Sequence, residues 1–292
     1  MKELVIISGK GGVGKTSVTA AFAALAGRSV IVDCDVDAAD LHLLMRPEIC
    51  HRETFVSGKE AIIRADDCIG CGKCQDHCRF EAIQRERTED GRTIFRVDPV
   101  GCEGCGVCLQ VCPQGAIDFP ERTGGEWFIS ATRLGPMVHA RLTPGGENSG
   151  KLVSTVRNVA REIAREHGLN LILIDGPPGI GCPVIASLSG ASQVLIVTEP
   201  TLSGRHDMAR VLDLTKRFNI PAWVCVNKWD INPEVTRQIE DDARNAGAAV
   251  AGRIRYDASI TEAQIAECPV VELDNAPAAA DLRDVWAVVS QG

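Results

Sequence analysis

Ser8-Gly9-Lys10-Gly11-Gly12-Val13-Gly14-Lys15-Thr16-Ser17 lies between an apolar run, Leu4-Val5-Ile6-Ile7, and a helix-like run from Val18 to Ala26. The frame is Gly-x-x-x-x-Gly-Lys-Thr between strand and helix, the context that makes this pattern a phosphate-binding loop. Glycines let backbone N–H groups turn inward around phosphate oxygens. The helix that follows offers unpaired N–H groups and a partial positive charge to the same anion. Lys15 is expected to reach the β- and γ-phosphates, and the Thr16 hydroxyl to bind Mg²⁺.

Ser29-Val30-Ile31-Val32-Asp33 reads as a second buried strand. It ends in Asp33-Cys34-Asp35, and helical spacing follows from Asp37 to Met45. Leu169 to Asp175 is another strand ending in an acid, followed by the glycine- and proline-rich Gly176-Pro177-Pro178-Gly179-Ile180-Gly181. Parallel strands joined by helices collect such groups at their C-terminal ends, beside the phosphate loop. Alternation continues with strands at 193–198, 222–227 and 250–254, and helices at 154–167, 203–218, 233–246 and 259–266. Residues 122–151 read as a pair of edge strands followed by a polar group, Glu147, Asn148, Ser149 and Lys151.

Lys10, a second lysine inside the loop, is not needed to wrap phosphate. With it, Lys-Gly-Gly-Val-Gly-Lys-Thr resembles the deviant phosphate loop of the MinD/Mrp/nitrogenase-iron-protein group. The resemblance implies an ATPase that pairs two nucleotide sites face to face in an ATP-dependent homodimer. It implies nucleotide contacts from Gly9, Lys10, Gly11, Gly12, Val13, Gly14, Lys15, Thr16 and Ser17. Lys10 would act across the dimer, Lys15 on the phosphates, and Asp35 would orient the attacking water. Thr16, Asp33 and Asp175 would serve Mg²⁺. Gly179 or a neighbouring N–H would sense the γ-phosphate. Asn227-Lys228-Trp229-Asp230 matches the Asn-Lys-x-Asp base-recognition pattern of GTPases. In the MinD group the asparagine there contacts adenine, so the pattern leaves the base open and the loop favours ATP.

Between residues 59 and 122 the chain becomes a different object. Cys68, Cys71, Cys74 and Cys78 form Cys-x-x-Cys-x-x-Cys-x-x-x-Cys, and Cys102, Cys105, Cys108 and Cys112 repeat it. The duplication resembles two-cluster bacterial ferredoxins, in which the fourth cysteine of each run ligates the other cluster. That implies one [4Fe–4S] cluster on Cys68, Cys71, Cys74 and Cys112, and a second on Cys102, Cys105, Cys108 and Cys78. Thiolate number and softness suit iron–sulfur. Structural zinc also uses cysteine pairs, but two identical four-cysteine runs favour clusters. Proline follows Cys112 but arginine follows Cys78, a departure from the ferredoxin pattern that removes no ligand. Of the other five of 13 cysteines, Cys34, Cys225 and Cys268 read as small apolar residues. Cys182 lies just after the glycine–proline loop, and the resemblance to face-to-face dimers of this group makes it the candidate for metal or cluster handling at their twofold axis.

The expected architecture is therefore α/β. A mostly parallel, helix-flanked P-loop core at 1–58 and 123–292 carries an inserted α+β ferredoxin-like domain at 59–122. The length of 292 residues, 45% hydrophobic and 24% charged, suits a filled core of this size. A net charge of −8 argues against nucleic acid as partner. No apolar run approaches the ~20 residues of a membrane span, and the amphipathic end, Ala278 to Val289, lacks the basic face of a membrane-surface helix. Together with the resemblance to the MinD/Mrp group, these features lead to the expectation of a cytoplasmic ATPase. Its ATP cycle would serve electron or metal/Fe–S cofactor delivery to a redox or metallocofactor-acceptor protein. The alternative is MinD-like spatial regulation, with the clusters as redox sensors or structural staples.

Overall fold

A computed structural model of the chain describes residues 1–143 and 149–292. In chain order it forms β1 (Lys2–Ser8), α1 (Lys15–Ala26), β2 (Val30–Asp33), α2 (Leu41–Met45) and β3 (Glu48–Lys59). A run of short elements follows: β4 (Ile62–Ile63), α3 (Lys73–Asp76), β5 (Ile83–Arg87), β6 (Thr93–Val97), α4 (Val107–Val111) and β7 (Ile117–Asp118). The remainder is β8 (Glu121–Thr132), β9 (Gly135–Leu142), α5 (Ser149–Glu166), β10 (Leu171–Pro178), α6 (Cys182–Leu188), β11 (Gln193–Thr198), α7 (Leu202–Arg217), β12 (Ala222–Asn227), α8 (Pro233–Asn245), β13 (Ala249–Ile254), α9 (Ser259–Ile265) and α10 (Pro277–Gln291).

Nine strands form one sheet in the order β13-β12-β11-β1-β10-β2-β9-β8-β3. From β13 through β9 the neighbouring strands pair in parallel. A parallel sheet must be covered on both faces, and the strands read accordingly as unbroken apolar runs. Leu4, Ile6, Ile31, Leu173 and Leu195 face a core shared with α1, α2, α9 and α10. The intervening Val5, Ile7, Val32, Ile174 and Ile196 are equally buried on the other side. Phe22 of α1 meets Trp286 of α10 with ring centroids 4.9 Å apart, and Leu282, Val285 and Val289 lock the last helix into this core. The C-terminal amphipathic face is thus internal packing. Phe22→Ala is expected to cost about 3–5 kcal/mol, read as a lower denaturant midpoint with unchanged m-value. A cost under about 1 kcal/mol would contradict this packing.

Three elements differ from the sequence reading. Only Leu41–Met45 of the 37–45 run is helical. The Asp33 carboxylate accepts the Leu41 N–H and Ala38 donates to the Asp35 carbonyl, so the preceding residues are a turn. The edge strand is β3; β9 is internal, paired with β2. β3 has two buried residues in twelve, so it carries no apolar alternation to read. α5 begins at Ser149, earlier than expected, because Ser and Gly in its first turn hide a helix start. Glu147 and Asn148 lie outside the described residues.

The chain divides into two compact units, one holding Met1–Arg52, Trp127–Arg141 and Ser149–Gly292, the other Glu53–Glu126 with Leu142 and Thr143. β3 passes from the first to the second between Arg52 and Glu53, and β8 returns between Glu126 and Trp127. Within the second unit β4 pairs with β7 and β5 with β6, both antiparallel. They enclose a small core of Ala61, Cys74, Ile83, Phe95 and Ile117. Among the described residues no helix is long and apolar enough to cross a membrane.

Candidate functional site

The loop after the central strand β1 holds the first unit's site. α1 has no side-chain cap: Gly14, at φ 95°, precedes it in the left-handed region. Its first-turn N–H groups therefore point toward the loop without a protein side chain to satisfy them. A Cβ on Gly14 would lie 2.5 Å from Asn227 Nδ2, and one on Gly9 2.3 Å from the Asp207 Cβ. Neighbours impose glycine at both places, and at Gly14 the left-handed backbone does so as well.

The acids converge on this loop. Lys15 is buried, and its ammonium stands 3.8 Å from Asp35 Oδ2. Asp33 accepts N–H bonds from Asp35 at 3.1 Å and Leu41 at 3.2 Å. Asp175 accepts from the Thr19 hydroxyl at 3.1 Å. β2 and β10 are paired with Asp33 opposite Asp175, which places both carboxylates at the same end of adjacent strands. A cavity of about 600 Å³ is lined by Gly12, Lys15, Thr16, Asp35 and Pro178, among others. Burial and the neighbouring Asp175 push the Asp33 carboxyl well above the ordinary range. Burial raises Asp175 to about 6, against the pull of Lys15 and Thr16, and burial also raises Asp35 against Lys15. Two buried carboxylates that repel each other are a donor set that a divalent cation relieves.

These shifts have a defined sign. An acid raised in the folded state holds its proton more tightly there, so its stabilising share is complete below about pH 4 and is lost as pH rises through about 6. In nucleotide- and metal-free protein, Asp175→Asn is expected to gain about 2 kcal/mol over the native chain between pH 4 and pH 7. Urea midpoints across that range measure it; a difference flat in pH would contradict the assignment.

Lys10 points elsewhere. Its ammonium is 2.5 Å from Glu199 Oε1 and 3.3 Å from the Ser203 hydroxyl. Glu199 also reaches Lys228 at 3.5 Å, and the two lysines hold its carboxyl below the usual range despite partial burial. Gly179 donates its N–H to the Ser8 carbonyl at 2.9 Å, so this group must leave Ser8 before it can meet a phosphate. Asn227 donates from Nδ2 to the Val13 carbonyl at 2.8 Å, tying the end of β12 to the loop. A second cavity, about 240 Å³, is lined by Gly14, Asn227, Lys228, Arg255, Tyr256 and Gln264, among others.

Sequence reading missed two features here. Glu199 follows a buried strand in a run that carries no motif. Arg157, buried on α5, is held by the Ala186 and Ser189 carbonyls and Glu3; it fixes the end of α6, the helix after the Gly179 loop. A charged residue inside a helical apolar stripe was its only signal.

In the second unit, Cys68, Cys71, Cys74 and Cys112 line one depression, and Cys78, Cys102, Cys105 and Cys108 line another. A left-handed glycine follows the second cysteine of each run, Gly72 near Phe95 and Gly106 near Phe119. The Ala116 N–H lies 3.4 Å from Cys112 Sγ. Burial pushes the Cys74 thiol up to about 11. Among the described residues no three Cys, His, Asp or Glu side chains converge on a single-ion site; a cubane asks for another arrangement, four sulfurs each on its own iron. Cys34 and Cys225 are buried, Cys268 is half-buried, and Cys50 and Cys182 are exposed.

Among known proteins, the chain is 35% identical over 242 residues to the uncharacterized protein MJ0578 of Methanocaldococcus jannaschii, covering 79% of each. The septum site-determining protein MinD of Pyrococcus horikoshii, solved in complex with Mg-ADP, superposes with a TM-score of 0.59 at 17% identity, covering 99% of this chain and 96% of that one. A shorter match, 38% over 65 residues, covers 22% of this chain and 10% of the indolepyruvate oxidoreductase subunit IorA of Methanothermobacter marburgensis. Residues 4–270 match the CobQ/CobB/MinD/ParA nucleotide binding domain, and with the loop, acids and parallel sheet described above the chain belongs to that family of P-loop proteins.

Proposed function

We propose that this protein is an ATP-hydrolysing iron–sulfur protein whose ATP-dependent homodimer cycle is coupled to delivery of electrons, or of a metal or Fe–S cofactor, to a partner protein. The observation that carries the reading is the presence, in one chain, of buried Lys15, Asp33 and Asp175 with half-buried Asp35 beside a phosphate loop, and of two depressions each lined by four cysteines. Gly9 through Ser17 wrap the phosphates, and Lys15 draws charge from the transferring group. Thr16 would hold Mg²⁺ directly, with Asp33 and Asp175 supporting it through water; when bound, the ion neutralises charge on the β- and γ-oxygens. Asp35 orients the attacking water, and Lys10, once parted from Glu199, acts across the dimer.

Residues 59–122 form the ferredoxin-like part. Cys68, Cys71, Cys74 and Cys112 would hold one cubane, and Cys102, Cys105, Cys108 and Cys78 the other. The clusters supply one-electron chemistry when present. The short likeness to a subunit of an oxidoreductase supports this half of the reading. The protein works in the cytoplasm, without nucleic acid. ATP turnover measured with the clusters reduced, oxidised and absent tests the coupling. Turnover that changes with cluster redox state is expected, and turnover indifferent to it would refute the coupling. The MinD-like fold favours one second reading, a spatial regulator whose clusters sense redox state. It is distinguished by a partner whose binding follows the bound nucleotide and that receives neither electrons nor iron.

A further inference from the structure

The two four-cysteine depressions come from one duplicated sequence, so matching positions in them are directly comparable. Arg64 and Asp98 stand four residues ahead of Cys68 and Cys102, and Ala116 and Ala82 four residues past Cys112 and Cys78. The backbone keeps the correspondence. The Arg64 backbone N–H donates to the Ala116 carbonyl at 2.8 Å, and that of Asp98 to the Ala82 carbonyl at 2.7 Å. The turn after each fourth cysteine closes alike, Gly115 N–H on the Cys112 carbonyl at 3.3 Å and Glu81 N–H on the Cys78 carbonyl at 3.4 Å. Gly115 and Glu81 share the left-handed region, at φ 58° and 53°.

The side chains break this symmetry. The Arg64 guanidinium reaches over its turn and donates to the Gly115 carbonyl at 2.8 Å, and is itself gripped by Asp67 at 2.6 Å and by Asp118. The next N–H in that turn, Ala116, donates to Cys112 Sγ at 3.4 Å. At the matching place Asp98 has no donor to offer, and its carboxylate accepts the Val100 N–H at 3.0 Å. Among the described residues the Ala82 N–H makes no bond to Cys78 Sγ. Charge does not separate the two sites. Arg64 is outweighed by Asp67 and Asp118 at the first. At the second, Arg122 on the Cys102 carbonyl and Lys59 over the Phe119 ring stand against Glu60, Asp98 and Glu103. The bond to sulfur is what differs. A reduced cluster carries one more negative charge than an oxidised one, so an N–H aimed at a ligating sulfur favours the reduced form.

We propose that Arg64 is a positioning residue that holds the Ala116 N–H on Cys112, and so makes the Cys68, Cys71, Cys74 and Cys112 site the one that keeps the first electron. The inference rests on the reading that both depressions hold [4Fe–4S] clusters. One electron leaves a one-electron donor, which is oxidised, and the first site is reduced by it; no bond forms or breaks and no proton moves. The second site, on Cys78, Cys102, Cys105 and Cys108, is then the harder one to reduce.

The test is a redox titration with dithionite, followed by electron paramagnetic resonance, on anaerobically reconstituted full-length protein. Cys102→Ser with Cys105→Ser leaves the first site alone, and Cys68→Ser with Cys71→Ser leaves the second alone. The first is expected to have the higher midpoint, by about tenfold in the reduction equilibrium or about 59 mV for one electron. Arg64→Lys keeps the charge and loses the planar fork; it is expected to close at least half of that gap by lowering the first midpoint, with iron content kept and the second midpoint unmoved. Equal midpoints in the two single-site proteins, the reverse order, or an Arg64→Lys midpoint equal to the native one would each overturn the proposal alone. Should Arg64→Lys fail to hold iron, the order of the two single-site midpoints decides. Native protein that takes up no iron would overturn the cluster reading and the proposal with it.

Discussion

Lys15→Ala is expected to lower ATP turnover by about 10²–10³-fold, the loss seen when a preorganised electrostatic group is removed from a reacting centre. The size follows from the surroundings. Lys15 is buried and its ammonium lies beside Asp35, with Asp33 and Asp175 at the neighbouring strand ends. Removing it takes a cation from among three acids and deprives the phosphates of their nearest positive side chain. Two effects add in the same direction: weaker stabilisation of charge on the transferring group, and higher carboxyl pKa values that leave the acids less able to work through a metal. Lys15→Arg is not expected to rescue, because a planar fork does not fit where a compact ammonium on a long stem fits. Phosphate release under saturating Mg-ATP measures the effect. Turnover within tenfold of the native chain would show that hydrolysis does not run through this lysine.

The second large effect concerns iron. Each depression in the second unit draws three cysteines from one run and the fourth from the other. Paired substitutions therefore give unequal outcomes. Cys68→Ser with Cys112→Ser strikes one depression twice and is expected to halve the bound iron. Cys102→Ser with Cys112→Ser strikes both depressions and is expected to abolish it. Uncrossed ligation, each run holding its own cluster, predicts the reverse order. Iron content with the cluster absorption of anaerobically reconstituted protein separates the two. Destabilisation is expected to accompany the loss, because Cys74 and its neighbours belong to the small core around Ile83, Phe95 and Ile117, and a unit of this size would lean on a bound cluster to stay folded.

What the residues announced in advance, and what they hid, follows from burial. β1, β2, β10, β11 and β12 are covered on both faces, so each is an apolar run that can be read directly. The phosphate loop was legible because glycine, lysine and threonine are forced there by ligand geometry. The internal duplication of cysteines was legible because spacing alone states it. β3 was not, since an edge strand with two buried residues has no hydrophobic pattern to show. Nor were the contacts that join distant parts of the chain. Asn227 could be named from its motif, but its bond to Val13 spans over two hundred residues and depends on the loop's final shape. Asp230 is the sharper case. Its motif matches the base-recognition pattern of GTPases, and only the fold reveals that its carboxylate accepts the Tyr256 N–H. Glu199 likewise owes its place between Lys10 and Lys228 to the C-terminal ends of three strands, β1, β11 and β12, lying side by side in the sheet.

The strands β3 and β8, neighbours in the sheet, carry a consequence for how such a chain could arise. The peptide leaves on one and comes home on the other, so the two ends of the excursion are about 5 Å apart before anything is placed between them. Closing a loop on ends already together costs little, and each doubling of its length adds only about 0.6 kcal/mol. The nucleotide core is thus indifferent to how much chain is strung across that gap. A two-residue turn or a complete second unit satisfies the same pair of strands, and one can replace the other in a lineage without the core having to be rebuilt.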